Sequence, residues 1–162
     1  MKLFACRSCI PYVAVVVLLV ASVATAQERG RCAPVGGAVL TNLGVVDANT
    51  TLGTATGDLK GAVGATILSV AAGKEGTTVF TVQHHWVTES GDTIVVDVAK
   101  ASGVMVAPGL FAVVSYPITI VGGTGRFDGA TGRIDNIGEV DLNTGHTVFR
   151  YTGKVCLGGR ER

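Results

Sequence analysis

Charge is scarce in this chain. Asp, Glu, Lys and Arg make up 15% of its 162 residues, with 13 basic against 12 acidic side chains. No basic surplus is available to neutralise a phosphate backbone, which excludes a nucleic-acid partner. Aromatic residues are also few, at 6%, with a single Trp. No helical heptad and no capping box appears, so a helical bundle is excluded. Gly-x-Ser-x-Gly, His-Glu-x-x-His and carboxylates paired at a telling spacing are absent, so the common hydrolase and metalloprotease signatures do not apply. The one His cluster is the adjacent pair His84-His85. Neighbours on a strand point to opposite faces, and a structural zinc site needs three or four ligands, so no metal site and no cofactor is expected.

Long hydrophobic runs are absent except at the start. Lys2 and Arg7 form a basic lead-in to the run Val13 to Ala21, which is too short to span a bilayer comfortably. Ala24-Thr25-Ala26 supplies the small-x-small pattern that a signal peptidase reads. Residues 1–26 are therefore expected to be a cleaved signal peptide, and residues 27–162 a single secreted or periplasmic domain with no membrane segment left. Cleavage removes two basic residues, Lys2 and Arg7, leaving 11 basic against 12 acidic. The domain is long enough to bury a core of its own.

Of four cysteines, Cys6 and Cys9 leave with the leader. Cys32 and Cys156 remain, one near each end. In an oxidising compartment they have one intramolecular pairing available, so a Cys32–Cys156 disulfide is expected; the alternative is two free thiols.

What the mature chain has in abundance is Val, Thr, Ile and Gly. Apolar or β-branched runs recur with turn signals between them, the pattern of an all-β sandwich or barrel. Strands are expected over 35–46, 50–57, 59–72, 77–89, 92–106, 110–121, 130–142 and 145–156, separated by turn-forming residues such as Asp47-Ala48-Asn49 and Ala107-Pro108-Gly109. Glycines inside strands (Gly61, Gly64, Gly138, Gly153) suit a sheet that bends into a closed barrel, which leaves no exposed edge. The fold class expected is an antiparallel closed β-barrel of about eight strands.

Period-two alternation sorts the faces. Phe80, Val82, His84 and Trp86 share one, and His85 takes the other. Ile94, Val96 and Val98 align, as do Leu110, Ala112, Val114, Tyr116, Ile118 and Ile120. In the last strand Thr147, Phe149, Tyr151 and Val155 align. With the bulkier face inward, the lumen holds Phe80, His84, Trp86, Tyr116, Asn136, Phe149 and Tyr151. An apolar, aromatic-rich interior with a few polar tips is the usual make-up of a small-molecule site. His84, Tyr116 and Tyr151 are the candidate catalytic groups, because a tunable imidazole and two phenols can orient or polarise a ligand oxygen. Phe80, Trp86, Asn136 and Phe149 are candidate ligand-binding residues. The plainer reading, that these are packed core residues with satisfied polar atoms, stays open. Asp58, in Thr-Gly-Asp-Leu-Lys-Gly, reads as a turn residue ahead of a pocket acid.

The stretch Val-Gly-Gly-Thr-Gly-Arg-Phe-Asp-Gly-Ala-Thr-Gly-Arg-Ile, Val121 to Ile134, looks at first like a phosphate cradle. The spacing Gly123-x-Gly125-x-x-x-Gly129 is one residue too long for a dinucleotide fingerprint, and no amphipathic helix follows. A turn between two strands, with Phe127 plugging one barrel end, explains the glycines instead. Gly122-Gly123-Thr124-Gly125-Arg126-Phe127-Asp128-Gly129, between an Ile/Val-rich strand and a terminal hairpin, resembles the signature of the allene oxide cyclase barrel and of the dirigent proteins. The likeness covers about residues 110–156. It departs from the dirigent pattern at Ala130-Thr131-Gly132, where Ala-Arg-Gly is usual, and the cyclases' pocket glutamate and cysteine have no counterpart here. The resemblance implies an eight-stranded antiparallel barrel with an apolar lumen, assembled as a homotrimer. It implies a small apolar ligand or substrate whose cyclisation or stereoselective coupling the lumen steers, as a cofactor-free isomerase or cyclase. The competing expectation is a non-catalytic barrel that binds a ligand or serves as an envelope protein.

Overall fold

Strands that alternate apolar and polar residues leave one apolar face per sheet, and curling the sheet on itself buries that face without a second layer. The computed structural model describes residues 32–158. The expected signal peptide over 1–26, with Cys6 and Cys9, lies outside the described residues. Nine strands form one antiparallel sheet: β1 (Cys32–Leu43), β2 (Thr50–Ala55), β3 (Gly61–Ala72), β4 (Thr78–Thr88), β5 (Thr93–Val96), β6 (Ala99–Ala107), β7 (Leu110–Gly123), β8 (Thr131–Asp141) and β9 (His146–Cys156). The circuit runs β1–β2–β3–β4, then through β5 and β6 to β7, β8 and β9, and β9 returns to β1. Both β5 and β6 lie between β4 and β7, so they are two halves of one stave. The result is a closed eight-stave antiparallel barrel. Among the described residues no helix is long and apolar enough to cross a membrane.

The closing seam is the β1–β9 ladder, which pairs Cys32 directly with Cys156, and the two are joined by a disulfide. It closes a loop with a sequence separation of 124. Loop-closure entropy for a ring that long is on the order of 4–5 kcal/mol, taken from the unfolded chain.

Two expected faces are corrected, and both for the same physical reason. Val98 was expected to point inward with Ile94 and Val96, but it is half exposed. Trp86 pairs with Ile94 and Val82 with Ala99, so five steps on the β5–β6 stave oppose four on β4. The extra residue turns Asp97 and Val98 outward, and the inward phase resumes at Ala99 and Ala101. On β7, Leu110, Ala112 and Val114 were expected to line up with Tyr116. Instead Phe111 and Val113 are buried, and Val114 is exposed. Val113 pairs with Gly138 and Tyr116 with Asn136, three steps against two, which places a bulge at Val114-Ser115.

One end of the barrel is sealed by two short 3-10 turns. The first, Gly57–Leu59, buries Leu59. Its Asp58 carboxylate accepts the Gly36 N–H at 2.8 Å, as a turn residue would. The second, Gly125–Phe127, belongs to the glycine-rich stretch and buries Phe127. Gly125 sits at φ 57°, and a Cβ there would displace the Asp92 carboxylate, so glycine is favoured on both counts. The nucleotide-like stretch is thus a plugged turn between β7 and β8.

Candidate functional site

Ladder pairing puts small residues opposite large ones on the inner face. Ala65 stands across from His84, and Ala101 across from Phe80. Where an alanine faces a ring, the lumen is left unfilled. A cavity of about 70 Å³ results, running from Trp86 and Val63 near the sealed end to Leu43 and Thr51 beside the 44–49 loop. One water occupies roughly 10–15 Å³ by this measure, so there is room for several waters or one small organic molecule. The walls are mostly apolar, with no Asp, Glu, Lys or Arg among them. A second, larger and more open hollow of about 590 Å³ lies on the outer face around Val106, Ile137 and Val148. It is open to solvent and shares no lining residue with the lumen.

Inside the cavity the Tyr116 hydroxyl and His84 Nε2 are hydrogen-bonded at 2.5 Å. The two side chains come from β4 and β7, which are separated by the single β5–β6 stave, so the bond bridges over that stave on the inner face of the barrel. His84 is 8% exposed, while His85 points outward. Burial pushes the His84 imidazole down to about 4, with a smaller contribution from the neighbouring His85. Burial also raises the Tyr116 phenol. Both groups are uncharged at neutral pH. His84 Nδ1 is buried with no hydrogen-bond partner. Asn136, opposite Tyr116 on β8, donates its amide to the Tyr116 carbonyl at 3.0 Å. Phe149 packs its ring edge-on against Tyr116 at 5.5 Å between centroids. Gly138 makes room for it, since a Cβ there would collide with Phe149 itself.

The structure brings Phe80, His84, Trp86, Tyr116, Asn136 and Phe149 onto this one cavity. Tyr151 is different. It is fully buried, but it lies beyond Trp86, with the two rings edge-to-face at 5.9 Å, and does not line the cavity. Its hydroxyl donates to the Thr56 carbonyl at 2.8 Å and accepts the Leu59 N–H at 2.9 Å. Burial is the main cause that raises its phenol. Trp86 Nε1 donates to the Leu59 carbonyl at 2.8 Å, so its polar tip also faces the seal.

Sequence reasoning did not single out the threonines of the cavity wall. Thr41 and Thr147 face each other across the β1–β9 seam, their hydroxyls 2.6 Å apart and buried. The signal for Thr147 was present, since it shares the face of Phe149. Thr41 carries no such mark in the Gly-rich first strand. Among the described residues no three His, Cys, Asp or Glu side chains gather closely enough to hold a metal ion.

No family model matches the chain, and no curated protein matches it. A similar solved structure is that of the pterocarpan synthase dirigent protein GePTS1. The two are 15% identical, the match covers 90% of this chain and all of the other, and the TM-score is 0.35. No residue role follows from a likeness of that degree.

Proposed function

We propose that this chain is a secreted or periplasmic barrel of the dirigent and allene oxide cyclase kind, made as a precursor with a signal peptide over residues 1–26. Its lumen binds one small, mainly apolar molecule and steers that molecule's cyclisation or stereoselective coupling. The observation that carries this reading is the cavity of about 70 Å³ with a neutral His84–Tyr116 pair hydrogen-bonded within it. Catalysis would be confinement: the walls hold a flexible molecule in one reactive conformer, converting lost freedom into rate and selectivity. His84 and Tyr116 would orient or polarise an oxygen of the substrate. Phe80, Trp86, Asn136 and Phe149 would shape its binding. Tyr151 would act from outside the cavity, by fixing the seal on which Trp86 rests. No cofactor is needed for such steering.

A homotrimer is the proposed assembly. On the outer face Leu40 pairs with Val148, and both remain more than 40% exposed, which suits burial against another copy. The second functional reading is a barrel that carries its ligand unchanged. It is favoured by the uncharged cavity wall, which supplies no strong acid or base. Incubation with unsaturated epoxides and with phenolic radicals, followed by chiral chromatography, separates the two. Steering predicts an enantiomeric excess that His84→Ala reduces. Racemic product at the uncatalysed rate across the panel, with ligand still bound, selects the carrier reading.

A further inference from the structure

The His84–Tyr116 pair has an unbalanced hydrogen-bond inventory. A neutral imidazole carries one N–H and one lone pair, and a phenol carries one O–H and lone pairs on oxygen. If the Tyr116 O–H donates to His84 Nε2, the imidazole proton resides on Nδ1. That Nδ1–H is then a buried donor with no acceptor. If Nε2–H donates to the phenol oxygen instead, the Tyr116 O–H is the donor left over and Nδ1 is an orphaned acceptor. No further hydrogen bond of either side chain exists among the described residues to balance the count. In both tautomers one donor is uncommitted, and a buried donor left so costs about 1–3 kcal/mol. Both rings stand on a cavity whose other walls offer mainly hydrocarbon, such as Val82, Ile118 and Phe149.

Resting on the proposed lumen function, we infer that the ligand carries an uncharged acceptor oxygen on an otherwise apolar frame, and that this oxygen takes the one donor the His84–Tyr116 pair leaves uncommitted. A carbonyl or an ether qualifies. A carboxylate or an ammonium does not, because no counter-charge lines the cavity and desolvating an ion there is costly. The same pairing gives the lumen a fixed polar contact, which restricts the orientation of a bound molecule and does not merely enclose it.

The test uses two probes of the same shape that differ only in the acceptor: cyclopentanone and methylenecyclopentane. Binding to the purified protein is measured by calorimetry. Chemical shifts of both His84 ring nitrogens are followed by ¹⁵N NMR. The ketone is expected to bind about tenfold more tightly than the alkene, the ratio one net hydrogen bond supplies. It should also shift a His84 ring nitrogen, which the alkene should not. In the double variant His84→Leu with Tyr116→Phe, the preference should disappear while alkene binding remains. Removing both partners together leaves no orphan behind, so this variant is expected to fold. Equal binding of the two probes to the native protein, with unmoved ring nitrogens, overturns the inference but leaves lumen binding standing. Binding of neither probe overturns both.

Discussion

The Tyr151 hydroxyl, on the last strand of the barrel, accepts the backbone N–H of Leu59 at 2.9 Å, 92 residues earlier in the chain. The same hydroxyl donates to Thr56, and the Leu59 carbonyl takes the Trp86 indole. One phenol therefore ties the sealing turn to β9, and the turn in turn holds the floor of the cavity. Tyr151→Phe keeps the ring but strands the Leu59 N–H and the Thr56 carbonyl. The loss expected is about 1–3 kcal/mol in urea unfolding. Unchanged stability would show that the turn is held by burial of Leu59 alone.

His84 makes the barrel acid-sensitive. Its folded value lies near 4, below the unfolded 6.5. The unfolded chain then binds a proton that the folded chain refuses, so stability is complete above pH 6.5 and falls as pH drops toward 4. The shift corresponds to about 3 kcal/mol for this group. Tm measured across that window should fall in the native protein, and the fall should shrink in the His84→Leu, Tyr116→Phe double variant. An identical fall in both would assign it to other groups.

The Tyr116 phenol works in the opposite direction. Its folded value is raised above the ordinary 10 by burial. Its contribution is present below pH 10 and is lost as pH rises beyond it. Alkaline titration followed at the tyrosinate absorbance should show Tyr116 ionising only with unfolding.

The disulfide closes the seam of the barrel. Alkylation of the unreduced mature protein should label no thiol, and reduction should lower stability by roughly 4–5 kcal/mol. Two labelled cysteines would contradict the Cys32–Cys156 bond.

Ala101 tests whether the cavity is the binding site. It is buried opposite Phe80 and lines the cavity. Ala101→Leu should fill part of the space, at a cost of no more than about 1–3 kcal/mol. Ligand binding should fall at least tenfold, which isothermal titration would detect. Undiminished affinity would move the ligand elsewhere.

The strands were legible because each is a run of alternating or β-branched residues bounded by glycine, asparagine or proline. The inner faces of β4 and β9 were legible too, since both run without interruption past His84 and Tyr151. The faces of β6 and the first half of β7 were not. A bulge adds one residue, and Asp97-Val98 and Val114-Ser115 carry nothing in their composition that announces it. Six of the seven expected lumen side chains meet at one cavity because period-two alternation survives closure. The His84–Tyr116 bond was invisible, since the strands that carry the two residues are not ladder neighbours and the contact depends on how the sheet curls. Tyr151 read correctly as inward. Its occupied hydroxyl depends on Leu59, whose Gly-Asp-Leu-Lys-Gly setting reads only as a turn.

A crystallographic electron-density map of the lumen, from protein purified without refolding, decides most directly whether the cavity holds a ligand. Connected non-protein density of several atoms is expected between Phe80 and Phe149, within hydrogen-bond distance of His84 or Tyr116. A lumen closed by inward collapse of its side chains, or one holding only discrete waters, would contradict that expectation.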